Sequence, residues 1–263
     1  MNILFIGDIV GRPGRDAVKQ LLPGLKKKHS LDFVIANAEN AAGGSGITRK
    51  VSEELFACGI DVLTSGDHIW KKPEIFELMK EEQRILRPLN FPPGAPGRGA
   101  SIFKAGSGAK VGVVNVNGRV FMEALECPFR TAMAAVEELA KEAKVIIVDI
   151  HAEATSEKMA LGWYLDGRAS AVLGTHTHIQ TADEKLLPRG TAYITDAGMT
   201  GPYDSVIGRR KEDVLERFLT QVPVRFEVAD GDIQLHGALI GVDEASGKAV
   251  SITRVQEKLL TVK

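Results

Sequence analysis

The sequence predicts an α/β sandwich with mixed β-sheets, folded as a single domain over residues 1–263. Two observations carry this. Short apolar runs rich in branched residues alternate with segments that have apolar residues at helical spacing, the pattern of strands covered by helices. From Val224 onward the alternation gives way to period-two runs split by turn pairs, which predicts antiparallel strands. With hydrophobic residues at 44% of the chain, there is enough apolar surface for a substantial core.

In chain order, "NILFIGD" is a buried strand that ends in Gly-Asp, and "RDAVKQLLPGLKKKH" is a helix that Pro23 should kink or break. "DFVIANAEN" is the next strand and "SEELFACG" a helix closed by Gly59. "DVLTSGDH" is a third strand, followed by "PEIFELMKEE", a helix opened by Pro73. The Pro- and Gly-rich stretch "RPLNFPPGAPGRGA" reads as a loop, placed over the site. "SIFKA" and "KVGVVNVNG" form a strand pair, and "PFRTAMAAVEELAKEA" a helix. "VIIVDIHAE" is a buried strand, "SEKMALGWYL" a helix, and "AVLGTHTHIQ" and "TAYITDAG" are strands. No repeat, low-complexity tract or linker interrupts the series.

Composition excludes several classes. A formal net charge of -1 argues against a dedicated nucleic-acid or membrane-surface protein, so no stable nucleic-acid complex and no membrane partner are expected. Cys58 and Cys127 form no CxxC pair, which fits a reduced, cytoplasmic protein without disulfides or thiolate metal sites. The N-terminal apolar run breaks at Gly7-Asp8 and has neither a charged flank nor a cleavage site, so no signal peptide is expected. No apolar run approaches the ~20 residues of a membrane span.

The polar residues at the strand ends form a set. In an open α/β sheet, ligands sit beyond the carboxyl ends of the strands. Here those ends carry Asp8, then Glu39 and Asn40, then Asp67 and His68, then His151, then His176 and His178. Alone, each has a bland reading: Asp8 a turn, Asp67 a helix cap, His151 a satisfied core histidine. Together they place four histidines on one predicted rim, each close to a carboxylate or amide. His29 and His236 lie elsewhere and receive no catalytic role. On an extended segment, side chains at i and i+2 face the same way, so His176 and His178 should enter one cleft. Two imidazoles placed so can serve two metals ~3.5–4 Å apart, with a carboxylate such as Glu39 as the bridge. A single metal also fits the pair, but leaves the remaining acids with less to do.

The stretches "GDIVGRPGR", "NAENAAGGSGIT", "GDHIW", "DIHAEATSEK", "GTHTHIQTAD" and "TDAGMTGPYDSVIG" resemble the calcineurin-like metallophosphoesterases, most closely their YmdB-like branch. The resemblance implies a four-layer αββα sandwich and a dinuclear site that hydrolyses nucleoside 2′,3′-cyclic phosphates to 3′-phosphates. It assigns Asp8, Asn40 and His178 to a first metal, Glu39 to the bridge, and Asp67, His151 and His176 to a second. It makes His68 the general acid, contacting substrate together with Asn40. The wider superfamily has a histidine where this chain has Val10, and Asn40 takes over that ligand position. It also has an amide where this chain has Asp67, and the added charge favours a harder or higher-valent ion. Two divalent or mixed-valence transition-metal ions are expected, iron or manganese first, with zinc or magnesium also compatible. "GMTGPYDSVIG" offers backbone N–H groups for the phosphate end, or is a structural turn. Two other functions use the same residues: a phosphomonoesterase or phosphoprotein phosphatase, and a slow-turnover regulatory nucleotide-binding protein. Homo-oligomer formation stays open.

Overall fold

The computed structural model describes residues 1–260. Two sheets stack at its centre. The first has the order β2 (Asp8–Ile9), β11 (Met199–Pro202), β12 (Ile233–Val242), β1 (Asn2–Ile6), β3 (Phe33–Asn37), β4 (Val62–Thr64), with β13 (Ala249–Lys258) also paired to β12. The second has the order β5 (Ala100–Lys104), β6 (Lys110–Asn117), β7 (Val145–His151), β8 (Ala171–Thr175), β10 (Ala192–Ile194), β9 (Lys185–Leu186). Both are mixed. Strands β1, β3 and β4 are parallel and β12 runs against β1. Strands β6, β7, β8 and β10 are parallel, with β5 and β9 antiparallel at the two edges.

The near-continuous apolar runs follow from burial on both faces. Successive side chains alternate between two cores. Ile3, Phe5, Phe33 and Ile35 meet Val145, Ile147, Ala171 and Leu173 between the sheets. Leu4, Ile6, Val34 and Ala36 point the other way, under helices α1 (Gly11–His29), α2 (Arg49–Ala57) and α3 (Ile75–Glu81). Ile146, Val148, Ile150 and Val172 lie under α4 (Pro128–Leu139) and α5 (Thr155–Tyr164). The layers therefore run α, β, β, α, as expected.

Several local expectations are corrected. Pro23 does not break the first helix, which continues unbroken from Gly11 to His29. A proline costs the helix one N–H and crowds the carbonyl four residues back. Here Leu22 and Leu25 on either side of it are buried with Ala17 and Val18, and that packing holds the axis. Helix α3 starts at Ile75, two residues after Pro73, behind a 3-10 turn at Ile69–Lys71. The segment before β12 is irregular, and a helix absent from the sequence reading, α6 (Lys211–Thr220), precedes it. The Pro-rich loop does not lie over the site. It is laced to the second sheet: Leu89 N–H donates to the Asn115 carbonyl, Asn90 to the Asn117 carbonyl, and Arg87 to the carbonyls of Pro88 and Pro96.

Candidate metal centre

The parallel strands release the candidate residues from their carboxyl ends, where the two sheets meet. The first sheet contributes Asp8 from β2, Glu39 and Asn40 from the turns after β3, and Asp67 and His68 from the turn after β4. The second contributes His151 as the last residue of β7, and His176 and His178 just beyond β8. Asp8, Glu39, Asn40, His151 and His178 are buried, and Asp67, His68 and His176 half-buried. All eight fall into one cluster.

Glu39, Asp67, His151 and His176 each offer a donor atom, and these atoms lie within 4.8 Å of one another. His151 Nε2 is 3.2 Å from Asp67 Oδ1, 3.3 Å from Glu39 Oε1 and 3.0 Å from His176 Nδ1. The same Glu39 oxygen lies 3.1 Å from Asn40 Nδ2, which is 3.2 Å from His178 Nε2; Asp8 Oδ1 lies 3.9 Å both from that nitrogen and from His151 Nδ1. Glu39 therefore touches both His151 and Asn40. Gly66 makes the approach feasible, since a Cβ there would collide with the His151 ring and with Glu39 Oε2. Asp67 makes its contacts inside the cluster, and the 3-10 turn that follows has no side-chain cap.

Each histidine of the second sheet is fixed through the nitrogen that faces away. His151 Nδ1 donates to Thr175 Oγ1 at 2.9 Å, because that hydroxyl is committed as donor to Asp149 Oδ1 at 2.8 Å. Asp149 also accepts from Thr64 Oγ1 at 2.5 Å and Asn37 Nδ2 at 3.2 Å. His178 Nδ1 donates to the Ile207 carbonyl at 3.0 Å. His176 Nε2 faces Glu153 Oε2 at 3.2 Å. These contacts engage the outward nitrogens and leave His151 Nε2, His178 Nε2 and His176 Nδ1 facing inward, where each would offer a lone pair to a metal once His151 gives up its Nε2 proton.

The route by which His176 and His178 reach the site differs from expectation. The chain is not extended there: β8 stops at Thr175, and the two histidines adopt φ of 95° and 65°. Residues other than glycine rarely adopt such values, so something must hold the turn. Thr177, between them, is gripped by Asp196, whose Oδ2 accepts from Thr177 N–H at 3.2 Å and Oγ1 at 2.6 Å. Lys158 Nζ donates to the same oxygen at 2.8 Å, and both charged side chains are fully buried. The His176 N–H also donates to Asp8 Oδ2 at 3.1 Å. His176 and His178 thus both enter one cleft, as expected, but from a turn and not along a strand.

Asn40 also departs from expectation. Its Oδ1 accepts from His68 Nδ1 at 2.8 Å and its Nδ2 faces His178. A half-turn of the amide would exchange the two ends without moving the rest of the side chain. His68 N–H donates to Glu39 Oε2 at 3.1 Å, while its Nε2 lies 3.9 Å from Asp67 Oδ2 and has no hydrogen bond.

The electrostatics call for a cation. Burial, reinforced by Glu39 and Asp196, pushes the Asp8 carboxyl up to about 7 despite the opposing His151. Burial disfavours the His151 cation, but Glu39, Asp67 and Asp8 outweigh it and raise that pKa well above the usual value. Burial, followed by the neighbouring His151, pushes His176 down to about 4. Asp8 Oδ1 is buried without a hydrogen-bond partner. An orphaned buried carboxylate oxygen costs roughly 1–3 kcal/mol or more. Carboxylates, inward imidazole lone pairs and that free oxygen fit divalent or higher-valent transition-metal ions, which would take the positive charge now drawn onto His151.

The residues that hold the ligands were missed in the sequence. Asn37 and Asp149 are polar interruptions inside "FVIAN" and "VIIVDIH", a signal that was available. Thr175, Glu153, Lys158 and Asp196 carry no such mark. The apolar wall of a cleft of about 570 Å³ at the cluster was missed too. Glu39, Asn40, His68, His176 and His178 line it together with the apolar Val206, Ile207, Val214, Phe218 and Phe226.

Comparison with known proteins agrees with this architecture. A family model described as YmdB-like protein matches residues 4–255. The 2′,3′-cyclic-nucleotide 2′-phosphodiesterase of Bacillus subtilis is 52% identical over 255 residues, covering 97% of this chain and 96% of its own. The crystal structure of a hypothetical protein from Thermus thermophilus shares 45% identity at a TM-score of 0.92, over 98% of this chain and 99% of that one. That of a novel phosphatase from Mycoplasma pneumoniae shares 33% identity at a TM-score of 0.91, over 98% and 93%. A match this complete, in sequence and in fold, makes the chain a member of the YmdB-like family.

Proposed function

We propose that this chain is a phosphodiesterase that opens nucleoside 2′,3′-cyclic phosphates to 3′-phosphates at a centre of two metal ions. The observation that carries the reading is the buried cluster itself, in which His151 Nε2 and Asn40 Nδ2 both meet Glu39 Oε1. The activity of the Bacillus subtilis relative supports the substrate class. Asp8, Asn40 and His178 would hold one ion, Asp67, His151 and His176 the other, and Glu39 both. Asn40 serves as a ligand through its oxygen once the amide has turned over. Iron or manganese suits this set, with Asp67 favouring the harder ion. When bound, such ions polarise phosphoryl oxygens and acidify a water to near neutrality.

The chain's own residues do the rest. Thr175, Ile207 and Glu153 hold the imidazoles so that their inward nitrogens are pre-aimed. His68 is fastened by its backbone N–H to Glu39 and by Nδ1 to Asn40; with the amide turned over, Asn40 would donate to Nδ1, and the imidazole proton would sit on Nε2, available to the departing 2′ oxygen. Asn40 and His68 both line the cleft, within reach of a phosphate seated there.

The test is steady-state kinetics on 2′,3′-cyclic, 3′,5′-cyclic and linear phosphodiesters and on phosphomonoesters, with metals quantified. Preference for the 2′,3′-cyclic ester, with close to two ions per chain, is expected. Full activity with one ion removes the dinuclear centre. Preference for monoesters moves the chain to the phosphatase reading, which the name of the Mycoplasma pneumoniae protein favours. Nucleotide binding with negligible turnover of any ester moves it to the regulatory one.

A further inference from the structure

We infer that the apolar wall of the cleft seats the substrate's base, by its flat face and without reading its edge; this rests on the cyclic-phosphate reading above. Val206, Ile207, Val214, Phe218 and Phe226 form the wall, in the same cavity as Glu39, Asn40, His68, His176 and His178. The chemistry of the substrate forces the two sets to work together. In a 2′,3′-cyclic phosphate the phosphorus is fused to the ribose ring, and the carbon next to C2′ bears the base. Holding the phosphorus at the cluster therefore holds the base a short, rigid distance away, inside the adjoining cleft. A cavity of about 570 Å³ is within the range that encloses ligands of this size.

The wall is built for a flat apolar face. Val214 is buried and anchors α6, whereas Phe218 is 72% exposed, Ile207 46% and Phe226 40%. Apolar surface left in water at the mouth of a reactive cleft signals a partner. An aromatic side chain under a base is worth roughly 1–3 kcal/mol and tolerates any base, because every base has a π-face. None of the five wall side chains carries a hydrogen-bonding group, so they cannot distinguish base edges. Arg209 lines the cleft as well, but its Nη2 donates to the Gly44 carbonyl. The wall is also continuous with the cluster, since the Ile207 carbonyl holds His178 Nδ1.

The test compares kcat/KM for the four nucleoside 2′,3′-cyclic phosphates with that for methyl riboside 2′,3′-cyclic phosphate, which has no base. The proteins are the intact chain and its Phe218→Ala, Phe218→Trp and Phe226→Ala variants. The intact chain should favour the nucleotides over the abasic ester by roughly 5- to 100-fold, the four bases falling within about 10-fold and purines leading. Each alanine should lower that ratio by about 5-fold or more, chiefly through KM, and tryptophan should restore it. An intact-chain ratio near one, or a ratio unmoved in both alanine variants, overturns the inference. Preference for a single base above ~100-fold overturns recognition by face alone. A change in solution mass with an unmoved ratio assigns the patch to contact between copies and overturns it too. No turnover of any cyclic ester removes the activity reading and this inference with it; turnover of the abasic ester with a flat ratio removes the inference alone.

Discussion

The two sheets bring opposite chemistry to their meeting edge. The first supplies the acids and the amide: Asp8, Glu39, Asn40 and Asp67. The second supplies imidazoles, His151, His176 and His178, each with its outward nitrogen engaged. His68 is the exception, an imidazole on the acidic side whose Nε2 is not engaged. The difference separates ligands from reagent. A histidine whose outward nitrogen donates presents a lone pair inward, whereas His68 would keep its proton on Nε2 once the turned-over Asn40 amide donates to its Nδ1. The sheets also meet through direct polar bonds, from Thr64 and Asn37 to Asp149 and from the His176 N–H to Asp8.

The largest effect should come from the residue that both groups share. Glu39→Gln should lower metal affinity by more than ~100-fold at both positions, beyond the usual cost of an outer-layer change. Elemental analysis after dialysis against a chelator measures it, and retained metal with retained rate would break the bridge. His68→Ala should keep its metal and lose roughly 10²–10⁴ in kcat. The loss should be smaller for a nitrophenyl ester, whose leaving group needs little protonation. Loss of metal from this variant would make His68 one more ligand and erase its contrast with the second sheet.

Lys158→Met tests the support behind the second sheet's histidines. It leaves Asp196 charged and buried, and should cost about 3–5 kcal/mol in urea unfolding. Adding Asp196→Leu should recover part of that loss, because the uncompensated charge goes with it. Thr175→Val keeps the shape but removes both the acceptor for His151 Nδ1 and the donor to Asp149 Oδ1, and should weaken metal binding by ~10–100-fold and cost about 1–3 kcal/mol in urea unfolding. The smallest effect should come from His236, an imidazole on β12 away from the cluster. Burial pushes its pKa down to about 4, so it folds neutral while the unfolded chain takes up a proton below about pH 6.5. Stability linked to it is full above that pH and is lost as pH falls toward 4. His236→Gln should therefore flatten the dependence of the urea midpoint between pH 7 and 4.5 and leave metal content unchanged.

The sequence showed the clustered residues because each sits where an apolar run stops, and such boundaries survive in one dimension. It also showed the strands, since "FVIAN" and "VIIVDIH" are apolar on both faces. It misread the turn at His176 and His178 because nothing local enforces it; the enforcement comes from Asp196 and Lys158, far along the chain. Helix α6 was overlooked although Val214 and Phe218 have helical spacing. Its apolar residues do not join the core: Phe218 and Leu219 are 72% and 82% exposed, so its logic lies in what it faces. The loop at 86–99 was misplaced because its anchors are backbone carbonyls and N–H groups, which leave no trace in composition.

The bond from His176 N–H to Asp8 Oδ2 spans 168 residues, and β1 needs β12 as one of its two neighbours. During synthesis the last of the acids emerges with Asp67, but the first imidazole partner from the second sheet, His151, follows 84 residues later, and the strand that completes β1 later still. Pairings this distant in sequence close slowly, and partial chains expose unpaired edges meanwhile. The buried acids of an unfinished chain therefore have no metal to meet. An ion that binds only the docked sheets stabilises completed molecules in proportion to its free concentration. Metal supply would then set how many finished copies persist, as well as how fast each one works.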